Sequence, residues 1–86
     1  MKKITYTISD KNGIHARPAG LIVQCAKKYN SDITMTINER SADCKKLFAV
    51  MGLGAVCGSI VLISADGEDE TGAIDDIENT MRGAGL

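Results

Sequence analysis

The stretch Ile4-Thr5-Tyr6-Thr7-Ile8-Ser9-Asp10-Lys11-Asn12-Gly13-Ile14-His15-Ala16-Arg17-Pro18-Ala19 changes its period partway along. Ile4, Tyr6 and Ile8 alternate with Thr5 and Thr7, the pattern of a half-buried strand rich in β-forming residues. The run from Asp10 to Gly13 breaks that strand. From Ala16 onward, Ala19, Ile22, Ala26 and Tyr29 recur at steps of three and four, with Leu21 and Cys25 widening the stripe. This spacing predicts an amphipathic helix ending near Asn30. Lys27 and Lys28 fall in its last turn, where cations suit the carbonyl end.

Outward from this stretch the two periods go on exchanging. Ile33, Met35 and Ile37 alternate with Thr34 and Thr36, and Asn38-Glu39 turns the chain into a short return strand over Arg40 to Cys44. Glu39 is not the glycine that a tight primed turn prefers. Lys45 to Leu53 reads as a short helix stopped by Gly52 and Gly54, and Ile60 to Ala65 as an apolar, β-branched strand ended by Asp66-Gly67. A last helix starts near Asp69, with Glu68, Asp69 and Glu70 at its positive end and Ala73, Ile74, Ile77 and Met81 as its buried stripe. The order β-α-β-β-α-β-α predicts an α+β fold: one mainly antiparallel four-stranded sheet with helices on one face.

With 86 residues, 44% of them hydrophobic and 24% charged, the chain is expected to form a single domain over residues 1–86. Its core is too small to enclose a large substrate pocket. Cys25, Cys44 and Cys57 are odd in number, have no C-x-x-C spacing and have only one histidine to join them, so no metal site is expected. All three read as buried thiols in a reducing compartment. No export signal opens the chain, which points to the cytoplasm.

Residues 1–65 carry nine Lys/Arg against four Asp/Glu, whereas residues 66–86 carry one against seven. This asymmetry suggests a basic face for an anionic ligand or an acidic partner. Nucleic acid is a poor fit, because there is neither a Lys/Arg run nor a set of aromatic residues for stacking. Residues 47–65 are free of charge and hold Gly54-x-x-x-Gly58, and as a helix they would span about 28 Å, close to a bilayer core. Against membrane insertion, Gly52, Gly54, Gly58 and Ser59 suit a helix stop, a loop and a strand start. Removing this segment would also leave the flanking elements without partners for their apolar faces.

The chemistry concentrates at Asn12-Gly13-Ile14-His15-Ala16-Arg17-Pro18-Ala19. His15 is placed at the helix N-cap, with the N–H groups of Ala16 and Arg17 free and Pro18 in the first turn, where a missing N–H costs nothing. Such a helix start attracts anions. An imidazole beside it is expected to be neutral and able to attack a phosphoryl group, with Arg17 neutralising phosphate oxygens. Apart from Asp10, no Asp, Glu or second His lies within five positions of His15, so a hydrolytic triad has no local support. A lone histidine in such a loop can also be merely a capping or solvated residue.

The string Gly13-Ile14-His15-Ala16-Arg17-Pro18-Ala19, the segment Lys45 to Gly54, and Ile63-Ser64-Ala65-Asp66-Gly67-Glu68-Asp69-Glu70 closely resemble, in this order, the HPr family. These are the histidine-containing phosphocarriers of the bacterial phosphoenolpyruvate-dependent sugar phosphotransferase system. The similarity runs over essentially the whole chain. It implies an open-faced β-sandwich with sheet order 1-4-2-3. It also implies that His15 is phosphorylated on Nδ1 by enzyme I and passes the group to IIA domains of sugar permeases, with Arg17 assisting. A carrier of this kind is not an enzyme in the turnover sense. The sequence itself signals no cofactor, and a monomer is expected. Leu47, Phe48 and Met51 are implied to form a partly exposed apolar patch for docking partners, with Lys27, Lys45 and Lys46 supplying charge around it; Val50 and Leu53 read as core. The family pattern has a serine at the start of the short second helix, the target of a regulatory kinase in some bacteria. Here that position is Lys46, which has no hydroxyl, so the regulatory branch is in doubt. A paralogue serving regulation or a single sugar is the alternative reading.

Overall fold

β1 (Lys2–Thr7) and β4 (Ile60–Asp66) run antiparallel, from Lys2 opposite Ala65 to Thr7 opposite Ile60. β4 is paired on its other side with β2 (Asp32–Ile37), from Asp32 opposite Asp66 to Thr36 opposite Leu62. β2 turns through Asn38-Glu39 into β3 (Arg40–Asp43), giving a four-stranded sheet in the order β1-β4-β2-β3. This is the 1-4-2-3 antiparallel sheet expected above. These relations come from a computed structural model, which describes all of residues 1–86.

The alternation in each strand sets which side is covered. Val61, Ile63 and Ala65 of β4 and Ile33 and Met35 of β2 are almost wholly buried beneath the helices, each large side chain contributing about 1.5–3 kcal/mol of burial. Ile60 points the other way and is 64% exposed. At the edge, Ile4 and Tyr6 of β1 are only half-buried, and the Arg82 guanidinium lies 5.8 Å from the centroid of the Tyr6 ring. In the Asn38-Glu39 turn only Asn38 is left-handed, at φ 55°, so the turn proceeds without the glycine whose absence the sequence made conspicuous.

Three helices cover the sheet: α1 (Ala16–Ala26), α2 (Leu47–Gly52) and α3 (Glu70–Gly83). Ile22, Ala19 and Ala26 of α1 meet Ala73, Ile77 and Met81 of α3 in the core, and Val50 and Leu53 join them as expected. Two helix limits differ from the sequence reading by two residues or more. α1 ends at Ala26 because the next amides bond in tight turns, Lys28 N–H to Cys25 and Tyr29 N–H to Ala26. The segment is then fastened sideways: the Tyr29 hydroxyl donates to Asp76 at 2.6 Å, and Asp69 accepts from the backbone of Asn30 and Ser31 and from the Ser31 hydroxyl. That leaves no side chain of Asp69 to cap its own helix. α2 starts at Leu47 and not Lys45, because the Asp43 carboxylate accepts the Lys45 N–H and closes a turn first.

The uncharged segment 47–65 divides into α2, a loop and β4, and no helix is long and apolar enough to cross a membrane. The cysteine reading needs one correction. Cys25 and Cys44 are buried, and desolvation pushes the Cys44 thiol up to about 12, but Cys57 is exposed in the loop before β4.

Candidate functional site

The turn after β1 aims the chain at the start of α1. The Gly13 N–H donates to the Asp10 carbonyl, and the Asn12 N–H to the Asp10 carboxylate, each at 2.9 Å. Gly13 adopts φ +66°, and a Cβ there would stand 2.1 Å from the Ala55 carbonyl oxygen. Only glycine allows the two loops to lie this close. Directly beyond it, the Ile14 N–H donates to Ala55 at 3.1 Å and the Ile14 side chain enters the core. His15, the next residue, is thereby held between a buried anchor and a helix.

His15 is the N-cap of α1, with extended backbone and no side-chain capping bond. Its carbonyl accepts the first intrahelical bond, from Ala19 at 3.0 Å. The Ala16 and Arg17 amides precede that bond and lack acceptors, and Pro18 has no N–H to satisfy. The imidazole is 43% exposed, and the Arg17 side chain is exposed and outside every ion pair of the molecule. An exposed ring, two free amides and a free guanidinium together make a place where a dianionic group can be held and transferred.

The structure adds Asp10, which the sequence reading set aside. Its Oδ2 lies 3.4 Å from His15 Nε2 while its Oδ1 is held by the Asn12 N–H. That backbone bond, with a smaller contribution from the His15 ring, holds the Asp10 carboxyl below the usual carboxylate range. The helix start is therefore not the sole electrostatic influence on the ring. The Asx turn is what folds Asp10 back onto a residue five positions later.

The remaining predicted residues divide by position. α2 packs on α1, and its Leu47 and Phe48 are exposed, Phe48 at 82%. Met51 is half-buried against the core. The chain leaving α2 returns to Gly13 and Ile14 through Ala55, so Val56, 61% exposed, adds an apolar side chain next to the His15 loop. No local pattern marks that approach, because it joins residues far apart in the chain. Lys46 is the exposed N-cap of α2 and offers no capping bond. Lys27 is the C-cap of α1, at the opposite end from His15, and Lys45 Nζ donates to the Tyr29 carbonyl at 2.8 Å near that same end. With about 1.5 Å of rise per residue, α1 sets these two lysines well apart from the ring. An open surface groove of about 360 Å³ over the paired strands β2 and β3, lined by residues such as Asp32, Thr34 and Ser41, shares no residue with this site. No cluster of three His, Cys, Asp or Glu side chains is placed to hold a metal.

Compared with known proteins, residues 2–82 match the family model described as the PTS HPr component phosphorylation site. The fold superposes with a TM-score of 0.97 on a Mycoplasma histidine-containing phosphocarrier protein, 38% identical over 99% of this chain and 97% of that one. It is also similar to HPr of Thermoanaerobacter tengcongensis, solved as a dimer, at 36% identity, 100% and 99% coverage and a TM-score of 0.78. A third similar structure is Crh of Bacillus subtilis, a catabolite repression protein solved as a domain-swapped dimer, at 29% identity, 100% and 99% coverage and a TM-score of 0.77.

Proposed function

As the chain belongs to the HPr family of phosphocarriers in the sugar phosphotransferase system, we propose that His15 is the residue on which it carries the phosphoryl group. The observation that carries this reading is the exposed imidazole at the N-cap of α1, beside two unbonded amides and the unpaired Arg17. Nδ1, which has no protein partner, accepts the group from enzyme I in the cytoplasm. The Ala16 and Arg17 amides and the Arg17 guanidinium hold its oxygens, and the same atoms release it to IIA domains of sugar permeases. Leu47, Phe48 and Met51, joined by Val56, dock the monomeric carrier on each partner in turn. Lys46 lies nearest this apolar surface in sequence; Lys27 and Lys45 contribute long-range charge.

Lys46 cannot accept a phosphoryl group on a hydroxyl, so serine-kinase regulation does not act at that position. The likeness to Crh keeps a second reading in view, a regulatory or single-sugar paralogue. The two separate in one experiment: labelled phosphoenolpyruvate with enzyme I, followed by a chase with IIA domains. The carrier takes up label and gives it to IIA domains of common sugars, whereas His15→Ala stays blank. Label that enters but cannot be chased to those domains supports the paralogue, and no label on the wild type overturns both.

A further inference from the structure

We propose that Asp10 is a positioning residue for His15, holding the Nε2–H tautomer so that the lone pair stays on Nδ1. The inference rests on His15 being the acceptor, and adds a residue that the local sequence does not single out. Asp10 Oδ2 stands 3.4 Å from Nε2, and the carboxylate is not free to turn away, because its Oδ1 accepts the Asn12 N–H at 2.9 Å and its carbonyl accepts the Gly13 N–H at 2.9 Å. The group is largely covered, with 19% of its side chain exposed against 43% for the ring. A neutral imidazole has one N–H and one lone pair. An acceptor-only carboxylate facing Nε2 puts the proton there and the lone pair on Nδ1.

During transfer the Nδ1 lone pair forms a bond to phosphorus, and the bond from phosphorus to the donor breaks with its electron pair leaving on the donor. The Nε2 proton stays in place throughout. The ring gains positive charge as the new bond forms, and Asp10 is the carboxylate placed to offset it. On release the same electron pair returns to Nδ1. Asp10 therefore serves both directions of the relay without exchanging a proton.

Two substitutions separate positioning from simple support of the turn. In Asp10→Asn the side-chain oxygen still accepts the Asn12 N–H, so the turn survives, but the amide NH₂ now faces Nε2 and donates to it. The ring proton is driven to Nδ1 and blocks the nucleophile. Asp10→Ala loses the turn bond but leaves the ring free to choose its tautomer. Positioning thus predicts that Asp10→Asn is the worse variant: about tenfold slower than wild type at saturating phosphorylated donor, with little change in KM, and slower than Asp10→Ala. Nitrogen-15 shifts of the neutral, unphosphorylated ring should show Nε2 protonated in the wild type and a move of the proton towards Nδ1 in Asp10→Asn. If Asp10→Asn behaves as wild type while Asp10→Ala is impaired, Asp10 only braces the turn and the proposal is overturned. An unchanged tautomer in Asp10→Asn overturns it as well. The ring spectrum needs no phosphoryl transfer, so it decides the role of Asp10 even if His15 proves not to be the acceptor.

Discussion

Replacing Gly13 by alanine tests how the His15 loop is held, and its cost can be worked from the structure. The new Cβ would lie 2.1 Å from the Ala55 carbonyl oxygen and 2.9 Å from Val56 Cα, where ordinary contact starts at 3.4 Å. Both atoms belong to backbone, so the two loops must part by about 1 Å. Parting breaks the 3.1 Å bond from Ile14 N–H to Ala55, worth about 1 kcal/mol, and loosens Ile14 and Ala55 in the core at a further cost of about 1 kcal/mol. Holding alanine at φ +66° adds about 1 kcal/mol more. The total comes to about 3 kcal/mol, a large share of the roughly 4–13 kcal/mol expected for a domain of this length. In urea, with m about 1 kcal/mol/M, the midpoint falls by about 3 M. Gly20→Ala is the matched control: Gly20 lies inside α1 with nothing within 4 Å of an added Cβ, and the substitution should gain about 0.5–1 kcal/mol. A Gly13→Ala protein within about 0.5 kcal/mol of wild type would refute the close approach of the two loops.

Three other perturbations follow from named contacts. Lys46→Ser supplies the missing N-cap acceptor of α2 and removes a cation from a helix start, so thermal or urea unfolding should show a gain of about 0.5–1 kcal/mol; a loss would mean that the lysine makes a contact of its own. Phe48→Ala removes a ring that is 82% exposed, so stability should change by less than about 0.5 kcal/mol while KM for enzyme I or a IIA domain rises about tenfold, and an unchanged KM for both partners would remove Phe48 from the docking surface. The Asp69 carboxyl is held below the usual range by the Ser31 hydroxyl and then by the Asn30 N–H. A depressed folded-state value gives stability that is full above the unfolded value of about 4 and is lost as pH falls through the folded one. Asp69→Asn should therefore flatten the acid limb of the urea midpoint below about pH 4, and parallel limbs would count against the contact.

The fold was legible because its signals are local. Alternation at Ile4 to Ile8 and Ile33 to Ile37, and the stripes Ala19 to Ala26 and Ala73 to Met81, name the buried faces whatever the partners are, and those faces are the ones found in the core. His15, Ala16 and Arg17 were legible for the same reason, since an N-cap and its free amides depend on one chain turn. What escaped depends on distant groups. The chain just past the early end of α1 is held by Asp76 of α3 and by Asp69 at the N-cap of α3, and the place of Val56 beside the His15 loop depends on the Gly13 and Ala55 contact. Lys45 is drawn to a carbonyl at the far end of α1. Cys57 was expected inside because cysteine is usually buried, but it occupies a turn position between Val56 and Gly58, where the chain has no face to bury. Asp10 was within view in the sequence, yet only the turn geometry shows that its carboxylate meets the ring.

The most direct measurement is a phosphorus and nitrogen-15 spectrum of the protein after incubation with enzyme I and phosphoenolpyruvate. The predicted result is one phosphorus coupled to His15 Nδ1, together with large downfield shifts of the Ala16 and Arg17 amide protons as they bind its oxygens. Phosphorus found on a hydroxyl or on Nε2, or carried by Nδ1 while both amides stay unmoved, would contradict the assignment of this helix start as the cradle of the transferred group.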